Sequence, residues 1–172
     1  TTTPWTLPAN LGVAAAPSET YGLYEWERNG KVERTLLGQE LAQKVLTKGG
    51  VTEFKELGTC KGDEVGQAKL TYSHPFIDRQ NPVMLADYVT MEDGTGLVHT
   101  APGHGEEDYK TGGRYGLDIY CPVKGDGTFD EGVSDIMATS VSRGLFPLRS
   151  RVLPLVAPAT RRCTFMGKSS ST

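Results

Sequence analysis

Three groups of residues carry side chains suited to chemistry. They are the run Thr1-Thr2-Thr3-Pro4-Trp5-Thr6, the segment His99-Thr100-Ala101-Pro102-Gly103-His104-Gly105, and the acidic triplet Glu106, Glu107 and Asp108. Together they supply hydroxyls, an imidazole and a carboxylate, a set fitted to holding an amino group and positioning a water molecule. No serine nucleophile elbow, phosphate-binding loop, His-Glu-x-x-His pair or catalytic cysteine in a glycine-rich context accompanies them. Covalent catalysis and metal-assisted hydrolysis therefore lack a candidate, and no metal site is expected. Each group also has a plain structural reading: Asp108 as a helix-capping charge, His99 as a satisfied structural histidine, the threonines as a strand edge, and Trp5 as a core aromatic. His104 and its neighbouring glycines read as loop geometry, and His74 as a loop residue.

These residues need elements to hold them. Leu11 to Ala16 and the alternating segment from Tyr21 read as strands joined by a turn. Leu37, Leu41 and Val45 share one helical face, which predicts a helix over Gln39 to Lys48 with Gly49-Gly50 as its stop. Val51 to Leu57 alternates as a half-exposed strand, and Lys69 to Tyr72 is a shorter candidate. Pro82 to Thr90 and Gly96 to Thr100 flank Asp93-Gly94, which predicts an antiparallel hairpin delivering His99 to a strand end. Glu106, Glu107 and Asp108 open a short helix at its acid-favouring end, its length limited by Gly112-Gly113. Asp126-Gly127 marks another turn, between Pro122-Val123 and Thr128-Phe129. Frequent turns and few helices predict a β-rich α+β domain, barrel-like with peripheral helices.

Composition agrees: 21 Gly and 10 Pro in 172 residues disfavour a helical bundle. No window of about 18 uninterrupted apolar residues is present, so no membrane partner is expected. All 21 acidic residues precede residue 137, whereas 137–172 is a basic Ser/Pro/Arg-rich tail carrying Arg143, Arg149, Arg151, Arg161, Arg162 and Lys168. The expected organisation is thus a domain over 1–136 and a tail that is disordered or artefactual, with the composition of a transit peptide at the wrong end of the chain. A domain so acidic does not bind nucleic acid by bulk charge, and any such partner must be held locally. Cys60, Cys121 and Cys163 are odd in number and widely spaced, which argues against a disulfide framework and for a reducing compartment. The initial Thr1 is consistent with an excised or processed piece.

Thr1-Thr-Thr-Pro-Trp-Thr-Leu-Pro-Ala-Asn10, followed at distance by Gly94-Thr-Gly-Leu-Val-His-Thr-Ala-Pro-Gly-His-Gly105 and Asp108-Tyr109, resembles the editing domain inserted into the catalytic fold of isoleucyl-tRNA synthetases. The resemblance spans Thr1 to Asp135. Thr3 before Pro4 favours the isoleucine enzymes of bacterial or organellar type over their valine and leucine relatives, which carry Thr-Thr-Arg-Pro there. The location implied is cytoplasmic in the bacterial type, or alternatively a chloroplast or mitochondrion.

The resemblance implies hydrolysis of the ester of Val-tRNA(Ile), and by extension of the valyl adenylate. A pocket cannot strongly reject a ligand that lacks one methylene, so a second, smaller site must remove it; isoleucyl-tRNA synthetase is itself the standard illustration. By the same resemblance Asp108 anchors the α-ammonium, and His99 walls the pocket against isoleucine. Thr2 and Thr3 position the ester and the water, Thr1 and Trp5 shape the pocket, and Asn10 supports substrate binding. No cofactor is implied, since ATP and magnesium serve a synthetic site whose His-Ile-Gly-His and Lys-Met-Ser-Lys-Ser signatures are absent from this sequence. The implied partners are the 3′ end of tRNA(Ile) carrying valine and the catalytic body of a parent synthetase, with the chain itself a monomer. The rival expectation is a non-catalytic fragment that at most binds the tRNA 3′ end.

Overall fold

The computed structural model describes residues 3–75, 77–131, 133 and 155–156. After a 3-10 segment over Pro4–Ala9 come β1 (Gly12–Ala15), β2 (Thr20–Arg28) and β3 (Lys31–Gly38). A short 3-10 turn leads into α1 (Ala42–Lys48), then β4 (Lys55–Lys61), α2 (Gly62–Gln67), β5 (Thr71–Ser73), β6 (Gln80–Leu85), β7 (Leu97–Thr100), α3 (Glu106–Arg114) and β8 (Leu155–Val156). The strands form a five-stranded sheet, ordered β7-β1-β6-β5-β8, and a three-stranded sheet, ordered β3-β2-β4. Mixed sheets with few helices match the β-rich α+β expectation. Apart from β8, the basic tail at 137–172 lies outside the described residues.

The long β2–β3 hairpin turns through Asn29 and Gly30, both with positive φ (51° and 73°), as a two-residue loop demands of strands that twist right-handedly. Tyr21, Leu36 and Cys60 of this sheet pack against Ala15, Tyr72 and Val83 of the other, forming the main core. Leu46 and Ala42 of α1 cover the opposite end through Trp26, Tyr24, Leu37 and Val51. Tyr21 also ties the two layers by hydrogen bonds: its hydroxyl accepts from the Ala16 amide and donates to the Gly96 carbonyl, at 2.8 and 2.7 Å.

Four expectations about the elements need correction. The strand expected over Val51 to Leu57 begins only at Lys55, because Val51 closes α1. Its amide reaches the Leu46 carbonyl and that of Gly50 (φ 79°) reaches Thr47, the paired bonds that satisfy a helix's last carbonyls. Leu37, read on the helical face, lies instead in β3, whose buried end is covered on both faces, and the α-helix proper begins only at Ala42 after a 3-10 turn over Gln39–Leu41. Gly112-Gly113 does not stop α3, whose terminator is Gly116 (φ 68°). Gly112 is instead a point of close approach, where a Cβ would strike the Pro102 ring.

The fourth correction bears on the site. β6 and β7 do not form a hairpin; β1 lies between them, parallel to β6 and antiparallel to β7. Val13 of β1 is therefore the register partner of His99, and the first motif lies beside the second.

Candidate functional site

The Pro4–Ala9 segment is too short and too rich in proline to be held by its own hydrogen bonds, and the rest of the molecule holds it. The Arg79 guanidinium donates to the carbonyls of Pro8 (2.9 Å) and Asn10 (2.7 Å), while its face lies over the Tyr120 ring, 5.5 Å from the centroid. His74 Nε2 donates to the Leu7 carbonyl at 2.9 Å. The Leu11 amide donates to the Thr100 carbonyl, joining the segment to β7.

So fixed, the segment sets two side chains against His99. Asn10 Nδ2 donates to His99 Nδ1 at 2.7 Å and to the Gly12 carbonyl at 2.8 Å. With Nδ1 accepting, the neutral ring carries its proton on Nε2, which lies 3.1 Å from Thr6 Oγ1. Thr6 Oγ1 passes its own proton to the Thr3 carbonyl at 2.9 Å. Burial, with a smaller repulsion from His104, pushes the His99 imidazole down to about 4, so it is neutral at physiological pH. Burial likewise lowers His74 to about 4, with Arg79 and His99 adding to the effect.

His99, His74 and Asn10 line a cavity of about 320 Å³ whose remaining wall is largely apolar, including Leu7, Val13 and Leu97. At ~30 Å³ per water this is room for about ten waters, more than a small branched aliphatic group occupies. His99 is fixed in that wall by both ring nitrogens.

Asp108 stands in the first turn of α3, where a negative charge is favoured. Its Oδ2 accepts the Ala101 amide at 2.9 Å, clamping the loop that follows β7 at a point two residues beyond His99. Burial raises its carboxyl above the usual range, opposed by the Ala101 bond and reinforced by Glu107. A half-buried carboxylate of raised pKa gains by meeting a cation.

Of the residues singled out in the sequence, the structure joins Asn10 and His99 directly and Thr3 to them through Thr6. Thr1 and Thr2 lie outside the described residues. Trp5 is 53% exposed, which removes the core-aromatic alternative and leaves the indole facing solvent. His74, Arg79, Tyr72 and Asn81 carry no functional signal in the sequence, and Thr6 stands out there only as the end of the threonine run. His74 does lie in a loop, yet it is only 6% exposed. Its ring meets the Leu7 carbonyl from a distant segment, and no local pattern announces that contact.

The geometry can be set beside known proteins. Residues 47–144 match the family model for the leucyl-tRNA synthetase editing domain. The chain is 43% identical over 144 residues to the isoleucine--tRNA ligase of Carboxydothermus hydrogenoformans, and 47% identical over 141 residues to that of Thioalkalivibrio sulfidiphilus. These matches cover 84% and 82% of the chain. The chain belongs to the isoleucyl-tRNA synthetase editing domains. It spans 15% and 14% of the length of those two relatives. A solved structure titled "The crystal structure of GlLeuRS-CP1" shares the fold, with TM-score 0.55 at 16% identity over 94% of this chain and 72% of that one.

Proposed function

We propose that this editing domain hydrolyses the ester of Val-tRNA(Ile), and the valyl adenylate by the same chemistry. The observation that carries the reading is His99, fixed as a neutral ring between Asn10 and Thr6 in the wall of an apolar cavity, with Asp108 clamped to the loop that follows it. The α-ammonium pairs with Asp108 in a charge-assisted contact. The aliphatic side chain enters beside His99, which, with both nitrogens engaged, serves as a wall and not as a base. Thr2 and Thr3 orient the ester and the attacking water, aided by the free ribose hydroxyl of the terminal adenosine. No protein nucleophile is needed, because an aminoacyl ester is already activated and placement of water supplies much of the rate.

The terminal nucleotide is gripped by local polar contacts and stacking, in keeping with the acidic surface of residues 1–136. Trp5, exposed beside the threonines, is suited to that stacking and to shaping the entrance. The domain acts within a parent synthetase, or on its own as a monomer in the cytoplasm of a bacterial-type cell.

Calorimetric titration with a nonhydrolysable valyl-adenosine analogue tests the binding half of this reading. Saturable binding that is lost in Asp108→Asn is expected. Absence of saturable binding to the wild-type chain would mean that the cavity is not a valyl site.

A further inference from the structure

A buried polar cluster lies behind the His99 wall, contributed by two strands that meet no substrate in the proposed reaction. Tyr72 on β5 and Asn81 on β6 are 1% and 2% exposed. The Tyr72 hydroxyl donates to Asn10 Oδ1, and Asn81 Nδ2 donates to the same oxygen at 3.1 Å and to the Asn10 backbone carbonyl at 3.1 Å. Burial pushes the Tyr72 phenol up to about 12, so it remains a donor at any physiological pH.

An amide has one accepting end and one donating end, and here each end has a fixed audience. Two donors converge on Oδ1; the Gly12 carbonyl and His99 Nδ1 face Nδ2. Turning the amide over would set donors against donors, and its oxygen against the Gly12 carbonyl. A buried group left in that arrangement loses its hydrogen bonds and keeps its desolvation cost. The direction of every hydrogen bond from β5 through Asn10, His99 and Thr6 to the Thr3 carbonyl follows from this one orientation.

We infer that Tyr72 and Asn81 are positioning residues which, acting through Asn10, hold His99 in its Nε2-protonated tautomer. The inference rests on the reading of His99 as the pocket wall for its functional consequence, but the tautomer itself is measurable without turnover.

The experiment is long-range proton–nitrogen correlation of the His99 ring in the full 172-residue chain, isotopically labelled, near neutral pH. It is repeated in Tyr72→Phe, which keeps the ring, and in Asn81→Ala, with the amide spectrum of β2 and β3 as the check of folding. The wild-type ring should carry its proton on Nε2. Each variant should raise the Nδ1-protonated population about fivefold, the effect of one neutral hydrogen bond. The preference for Val-tRNA(Ile) over Ile-tRNA(Ile) should narrow in step with the Nε2-protonated fraction that is lost. A wild-type ring protonated on Nδ1, or a folded Tyr72→Phe whose tautomer is unchanged, overturns the assignment. A chain that shows the tautomer response but hydrolyses no Val-tRNA supports the assignment and overturns the hydrolase reading instead.

Discussion

Asp108 carries two loads that a suitable substitution can separate. As a structural group it accepts the Ala101 amide; as a charge it is, in the proposed reaction, the partner of the substrate's ammonium. Asparagine keeps an oxygen for Ala101 and discards the charge, and it also removes the unfavourable burial that raises the carboxyl's pKa. The thermal midpoint of Asp108→Asn should therefore stay at or slightly above the wild-type value. Val-tRNA turnover should drop by about ten- to a hundredfold, the size of a lost charge-assisted contact. Parallel melting and deacylation measurements would decide the matter. A folded variant with full turnover would reduce Asp108 to a loop clamp.

At the scale of elements, the Pro4–Ala9 segment has no stability of its own and borrows it from Arg79, His74 and β7. Methionine at position 79 keeps an unbranched stem but can neither lay a guanidinium over Tyr120 nor donate to the carbonyls of Pro8 and Asn10. In Arg79→Met the amides of Thr6 and Asn10, bonded within the segment, should exchange with solvent at least about tenfold faster, while those in β2 and β3 are unchanged. Uniformly faster exchange would instead mean that Arg79 supports the whole fold.

The same segment marks the limit of what the sequence discloses. His99 at a strand end, Asp108 at a helix start and the Asp126-Gly127 turn are local patterns and are readable as such. The placement of β1 between β6 and β7 is not, because it depends on a parallel pairing of Val13 with Val83 that closes across some 70 residues. Without that placement the Asn10–His99 contact has no local signal, nor do the roles of Tyr72 and Asn81, which approach from two further strands. Gly112-Gly113 and Gly116 were likewise indistinguishable by type; only backbone conformation shows which one ends α3.

For the molecule as a whole, buried His74 and half-buried His99 give stability a defined pH dependence. Both are held neutral in the fold with values of about 4, against 6.5 when free. Between these values the unfolded chain binds more protons than the native one, so stability is full above about pH 6.5 and is lost progressively as pH falls toward about 4. The thermal midpoint followed across that range should decline throughout. His74→Gln should make the decline shallower, because one of the two sites no longer takes up a proton on unfolding. A midpoint independent of pH between about 4 and 6.5 would show that neither imidazole is held neutral by burial.

In the proposed reaction, selectivity for valine comes from the pinned His99 ring and not from the overall volume of the cavity. Its most direct test is the first-order deacylation of Val-tRNA(Ile) and Ile-tRNA(Ile) measured side by side with excess purified chain. One methylene differs between the substrates, worth about ten- to two-hundredfold in a well-formed pocket. Val-tRNA(Ile) should be hydrolysed at least about tenfold faster than Ile-tRNA(Ile) and well above the spontaneous rate. Equal rates for the two, at the spontaneous level, would contradict it.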